Sequence, residues 1–176
     1  MMIFWLSRNS KKREMMVSTS HFRTALSRFA TGVTVVTAMQ SGKPVGITIS
    51  SFTSVSLEPL LILFCLDNKS QLLGGFLKGS AFAVHILSEK QADLARFFAS
   101  KARHSWHNIP HKISAKDLPI LDDVMAALVC KVQSVTAGGD HAIILAQVES
   151  LTINEKKRKP LLYTQRHYFR LGRKHQ

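Results

Sequence analysis

GITISSFTSVSLEPLLILFCL, residues 46–66, joins two runs of opposite character. Residues 60–66 are nearly all apolar, as in a strand covered on both faces. The run before them places Thr48, Ser50, Ser51, Thr53, Ser54 and Ser56 within nine positions. Strand alternation carries Ile47 and Ile49 to one side and Thr48 and Ser50 to the other, until the chain turns near Phe52. Upstream, VTVVTAM at 33–39 is β-branched, SGK is a turn, and PVGITIS at 44–50 opens on a proline where a missing N–H costs least, which predicts a hairpin. Downstream, SAFAVHI (80–86), ALVCKVQSV (127–135) and HAIILAQVESLTI (141–153) read as strands. The last two flank Gly138-Gly139, a second hairpin signal. PLLY and HYFRL follow, around Thr164, Gln165 and Arg166.

Helical spacing is confined to short pieces. Ser18, Thr19 and Ser20 offer N-cap oxygens ahead of HFRTALSRFATG, where Phe22, Ala25, Leu26, Phe29 and Ala30 recur and Gly32 supplies a stop. Ser70 can cap a short helix in QLLGGFLKG, weakened by its two glycines. Ser88 and Gln91 have capping-box spacing before a helix with Ala92, Leu94, Ala95 and Phe98 on its apolar side. Residues 100–120 lack periodicity and read as a long loop, whose Trp106 either anchors it or covers a ligand. About seven strands and two or three short helices result, without βαβ alternation. That order predicts a mainly antiparallel barrel with helices as caps.

The chain has 176 residues and a mass of 19.7 kDa, enough for one domain. No window supplies the 18 or so apolar residues of a membrane span. The segment MMIFWLSRNSKKREMM carries its charges after its apolar part, the wrong order for a secretory signal. A flexible basic extension over 1–20 and a folded domain over 21–176 are expected, with Met15 or Met16 as possible starts. Cys65 and Cys130 lie in apolar runs and read as buried free thiols of a reducing compartment, hence a cytoplasmic protein. Net charge is +13, concentrated in part at KKRK, 156–159. Such a field draws polyanions and phosphorylated small molecules. Nucleic acid is disfavoured, because there is no zinc-finger spacing and the aromatics are not interleaved with arginines.

Hydroxyls both donate and accept, so the segment from Thr48 to Ser56 suits a planar ligand whose edge alternates carbonyls and ring nitrogens. Asp67, Asn68, Lys69 and Ser70, followed by a helix start, read as a phosphate site or as simple capping. There is no GxGxxG fingerprint and no metal-ligand spacing. His141, after GGD at a strand start, can face a cavity mouth or be a plain turn histidine. Asp122 and Asp123 point apart in extended backbone. The scarcity of acid–base and metal groups fits chemistry supplied by an organic cofactor.

FRTALSRFATGVTVVTA (22–38), GITISSFTSVSLEP (46–59), LLILFCLDNKS (60–70), FAVHIL (82–87), LARFFA (94–99), GDH (139–141) and PLLY (160–163) resemble, in family order, the flavin reductase-like family of FMN-binding split barrels. The resemblance is to reductase components of two-component flavin monooxygenases. It implies a Greek-key, antiparallel split β-barrel and a homodimer with flavin bound between barrel and partner. It also implies reduction of FMN or FAD by NADH or NADPH, with hydride passing to flavin N5 and reduced flavin leaving for a separate oxygenase. Carried over residue by residue, Thr48, Ile49, Ser50, Ser51, Phe52, Ser54 and Ser56 meet the flavin and its chain. Cys65, Leu66, Asp67, Asn68 and Ser70 approach the ribityl phosphate. His141 lies by the flavin–nicotinamide site, with Phe97 and Tyr163 in its surroundings. Lys69 and Arg96 are expected to attract phosphates. Ala146 stands where relatives commonly have glycine, and its methyl either narrows the cavity or merely packs. Alternatives are a split-barrel oxidase or electron carrier with tightly bound FMN, a non-enzymatic flavin or haem module, and a nucleic-acid-binding barrel.

Overall fold

The computed structural model describes residues 17–100 and 105–172; most of the extension predicted over 1–20 lies outside them. In chain order the elements are α1 (Thr19–Leu26), β1 (Thr31–Gly32), β2 (Thr34–Gln40), β3 (Lys43–Ile49), β4 (Thr53–Leu57), β5 (Leu60–Asp67) and β6 (Ala81–Ile86). Then come α2 (Ala92–Ala99), β7 (His111–Ile113), β8 (Pro119–Leu121), β9 (Ala126–Gly138), β10 (His141–Ile153), β11 (Leu161–Thr164) and β12 (His167–Arg170). Seven strands form one sheet in the order β3-β2-β6-β9-β10-β5-β4, every neighbouring pair antiparallel. The expected mainly β, antiparallel architecture with short helices is therefore what the chain adopts.

Turn chemistry sets the hairpins. Ser41 and Gly42 both have positive φ, the type I′ arrangement whose twist matches the flanking strands. The crossing 50–52 joins the two edge strands, β3 and β4. Ser51 Oγ accepts from Cys65 N (2.9 Å) and donates to Cys65 O (3.2 Å), which fastens the crossing to β5 and curls the sheet onto itself.

Two expectations fail here. The helix anticipated after Ser70 shrinks to a 3₁₀ turn, Leu73–Gly75, because Gly74 and Gly75 give a helix no support. Its sequence neighbour Phe76 instead plugs the barrel, meeting Phe64 and Phe82 edge-on with centroids 5.4–5.6 Å apart. The loop predicted over 100–120 contains a 3₁₀ turn, Trp106–Asn108, and the β7–β8 hairpin. Each of those strands is only three residues long, too short for alternation to register.

The barrel interior is filled by residues such as Val36, Ile49, Ile62, Val132 and Ile144. Ala146 is fully buried there, so its methyl packs in the core and does not narrow a ligand cavity. A second cluster lies behind β2, where Val33 and Val35 meet Leu87, Leu121 and the buried face of α2. Trp106 anchors this layer, 5.0 Å from the Phe98 ring and 5.1 Å from His111. His85 of β6 is wholly buried, with Nδ1 3.1 Å from Val35 O and Nε2 accepting from Leu121 N at 3.1 Å. Thr37 Oγ1 donates to Pro119 O at 2.6 Å, so two buried side chains tie β8 to the barrel.

Gly46 is required by the approach of α2. A Cβ there would stand 2.7 Å from Phe98 Cε1 and 3.2 Å from Trp106 Cζ2. Gly46→Ala is expected to cost about 1–3 kcal/mol by overpacking, read as a lowered denaturation midpoint. A midpoint equal to wild type would show that Phe98 and Trp106 yield freely.

Candidate functional site

Residues paired across a ladder share a sheet face. Ile62, Phe64 and Leu66 are buried in the barrel, so Leu63, Cys65 and Asp67 of β5 point outward. Register carries that outward face across the sheet. Thr53 pairs with Leu63, Leu63 with Leu145 and Leu145 with Ser134; Cys65 pairs with Ile143 and Ile143 with Thr136; Asp67 pairs with His141. A half-buried apolar floor of Leu63, Cys65, Ile143 and Leu145 thus lies between the serine-rich crossing and the histidine.

The expected residues divide on this frame. Ser50 and Ser51 are exposed in the crossing that Ser51 fastens to Cys65 of the floor, and the Ser50 hydroxyl has no partner among the described residues. Ser54 is exposed and unpartnered as well, but it pairs with Ile62 and so lies on the opposite face from Leu63. The Ser51 and Phe52 amides, outside either ladder, make no backbone hydrogen bond there. These are donors of the kind a ring edge needs. Thr48 Oγ1 donates to Ala95 O at 2.7 Å and seats α2 on β3. The Ile49 and Leu66 side chains point into the core and can offer a ligand only backbone. Ser56 Oγ accepts from Glu58 N at 3.1 Å, and Phe52 packs against the barrel core. Phe97 and Tyr163 belong to the cluster behind β2, with Tyr163 5.3 Å from Tyr168. Arg96 ion-pairs with Asp93 at 2.6 Å and lies over the Tyr168 ring, 5.4 Å from its centroid. Thr31, which pairs with Tyr163, holds a buried hydroxyl that lacks a partner among the described residues.

The polar island and the histidine turn are one unit. Asp67 Oδ1 accepts from Lys69 N at 2.8 Å, and Ser70 Oγ accepts from Leu72 N at 3.3 Å. Asn68 donates from N to Asp140 O and from Nδ2 to Gly139 O, both at 3.0 Å. His141 Nδ1 lies 2.8 Å from Asp140 Oδ1, and that hydrogen bond holds the Asp140 carboxyl below its usual range. With the helix reduced to three residues, no helix dipole supports a phosphate here. The amides of Asn68, Lys69, Ser70 and Leu72 are already engaged, so the Lys69 ammonium, the Ser70 hydroxyl and the second N–H of the Asn68 carboxamide are what remains for one.

Elsewhere the chemistry is structural. Arg158 donates to Asp123 O at 2.7 Å and pairs with its carboxylate, Lys156 lies 3.9 Å away, and Lys159 donates to Leu171 O at 3.2 Å. Three of the four KKRK side chains therefore hold their own connection in place. Cys130 is a buried free thiol, pushed up to about 12 by burial; Cys65 is free and half-buried. No group of three metal-ligating side chains occurs among the described residues, and no helix there is long and apolar enough to cross a membrane. A surface cavity of about 470 Å³, lined by Leu73, Phe76, Leu77, Lys78, Gln133 and their neighbours, contains none of the sequence-derived residues. The sheet face, an open surface, is the better candidate because it carries the unpartnered donors and the histidine together. Leu63, Ile143, Leu145 and Thr136 went unnoticed as site residues, although the alternation of HAIILAQV marks two of them.

An antiparallel barrel that folds around a serine-rich crossing and opens one face of its sheet is a split barrel in class. The sequence model of the flavin reductase like domain matches residues 26–172, and the chain belongs to that family. A flavin-dependent monooxygenase reductase subunit from Mycobacterium tuberculosis is 38% identical over 143 residues, 81% of this chain and 76% of that protein. A flavin reductase from Pseudomonas putida is 35% identical over 143 residues, covering 81% and 84%. The solved structure of the NADH:FAD oxidoreductase of Streptomyces globisporus, in complex with NAD and FAD fragments, superposes with a TM-score of 0.81 at 31% identity, covering 87% of this chain and 92% of that one.

Proposed function

We propose that the protein is a cytoplasmic, homodimeric NAD(P)H-dependent flavin reductase that reduces FMN or FAD and supplies it to a separate flavin-dependent monooxygenase. One observation carries this: the crossing at 50–52, with its unpartnered Ser50 hydroxyl and its Ser51 and Phe52 amides, is fastened to Cys65 at the edge of the floor of Leu63, Ile143 and Leu145, and His141 stands on that same open sheet face. Flavin, when bound, supplies the chemistry, accepting a hydride from the reduced nicotinamide and passing electrons to oxygen in the partner enzyme. The chain's part is to place the ring. The Ser50 hydroxyl and the Ser51 and Phe52 amides donate to its polar edge, and amides fixed in advance stabilise negative charge gathering there. Leu63, Ile143 and Leu145 support its face. Lys69 and Ser70 receive the phosphate, and His141 orients the nicotinamide.

A second copy completes the site in this proposal. Val55, Leu57 and Leu60 on the β4–β5 hairpin, and Leu151 and Ile153 at the end of β10, are exposed, Leu57 to 85% and Ile153 to 71%. Apolar surface of this kind, next to an open site, fits an interface between copies. The reductase relatives support the activity, and free thiols support a reducing compartment.

Anaerobic stopped-flow with excess FMN or FAD and NADH or NADPH tests the assignment. Many flavins are expected to bleach per protomer in at least one of the four pairings. Reduction limited to one flavin that stays bound through gel filtration would favour an electron carrier. Flavin binding without bleaching in any pairing would end the reductase assignment.

A further inference from the structure

The turn between β9 and β10 has two central residues, Gly139 and Asp140. Gly139 has φ +75°, while Asp140 is not in the positive-φ region, so the turn is type II′. Flipping its central peptide would give type I′, with Asp140 also at positive φ. Gly-Asp has access to both, since aspartate tolerates the left-handed region better than most residues. The flip reverses the Gly139 carbonyl. Asn68 Nδ2 grips that carbonyl, while its backbone N–H grips Asp140 O, each at 3.0 Å. In the turn as held, Asp140 Oδ1 sits 2.8 Å from His141 Nδ1. A carboxylate accepts, so the neutral ring carries its proton on Nδ1 and presents Nε2 outward.

We propose that Asn68 is a positioning residue for His141. It keeps the hairpin turn in one of two accessible conformations and thereby keeps the Asp140–His141 pair intact. Of the two N–H donors of its carboxamide, one is committed to Gly139. The functional consequence rests on His141 meeting the nicotinamide; the latch itself does not.

The test uses the full chain as wild type, N68A, N68D, H141A and the N68A/H141A double variant, with ring-¹⁵N-labelled histidine. The wild-type His141 ring is expected to show one tautomer, and N68A a mixture. The nicotinamide KM in N68A should rise about fivefold, the scale of one lost hydrogen bond, with flavin Kd changed less than twofold. N68D, which sets an acceptor against a carbonyl, should raise KM at least as much. In the H141A background N68A should add nothing. Unchanged ring-nitrogen shifts in N68A would overturn the latch, as would additivity with H141A, or a flavin Kd rising in step with KM. If N68A mixes the tautomers while H141A leaves KM and hydride transfer untouched, the latch stands and the nicotinamide role of His141 falls.

Discussion

H141A is expected to lower kcat/KM for the reduced nicotinamide by about tenfold to a hundredfold, the scale on which lost positioning slows a reaction. Flavin affinity should change little, because the donors and floor assigned to flavin lie at 50–52, Leu63, Ile143 and Leu145. His141 heads β10 beside Asp67, with its side chain 43% exposed and Nδ1 engaged by Asp140. That leaves Nε2 as the atom free to meet a second ligand. A positioning loss should appear both in nicotinamide Kd and in the hydride-transfer rate at saturation, with the denaturation midpoint unmoved. D140N keeps an acceptor for Nδ1 but loses its charge, so an intermediate effect is expected. Unchanged nicotinamide affinity and an unchanged hydride-transfer constant in H141A would remove the histidine from the site.

That expectation draws on a part of the molecule which the sequence reveals unevenly. Alternation in residues 141–153 marks β10 with its observed bounds, and the apolar run 60–66 marks β5 to within one residue. Ser/Thr density points to the crossing. Burial, however, separates Thr48 and Ile49 from Ser50 and Ser54, and burial depends on where α2 lands. Thr48 Oγ1 bonds a carbonyl 47 positions away, and no local spacing announces that. Asn68 reads as part of the DNKS phosphate site, and its grip on Gly139, 71 positions away, is likewise announced by no local spacing. Short strands such as His111–Ile113 and Pro119–Leu121 exist because β8 is tied to β2 and β6, a tertiary cause with no period to detect. His85 looks like one more residue of an apolar strand. Only its two buried partners show what it does.

The neutrality of His85 should make the fold acid-sensitive in a narrow window. Burial lowers its pKa from 6.5 to about 4, opposed only by its hydrogen bond to Val35. Nε2 accepts from the Leu121 amide, so a proton there would set two donors against each other and detach β8. The unfolded chain takes up a proton below about pH 6.5, whereas the native ring resists until about pH 4. This group's contribution is therefore complete above pH 6.5 and declines as pH falls toward 4, by roughly 3 kcal/mol in all. Asp123 and Asp140, both held below the usual carboxylate range, lose their contributions lower on the scale, so among the described residues the window belongs to His85. Urea midpoints at fixed protomer concentration, from pH 7.5 to 4, should fall for wild type with the β7–β8 segment exchanging its amides first. In H85Q a carboxamide can still donate to Val35 O and accept from Leu121 N but does not titrate, so its profile should be flat over the same range. A wild-type profile as flat as that of H85Q would mean that His85 keeps its neutral form without cost, and that the clasp on β8 is held by Thr37 and Pro119 alone.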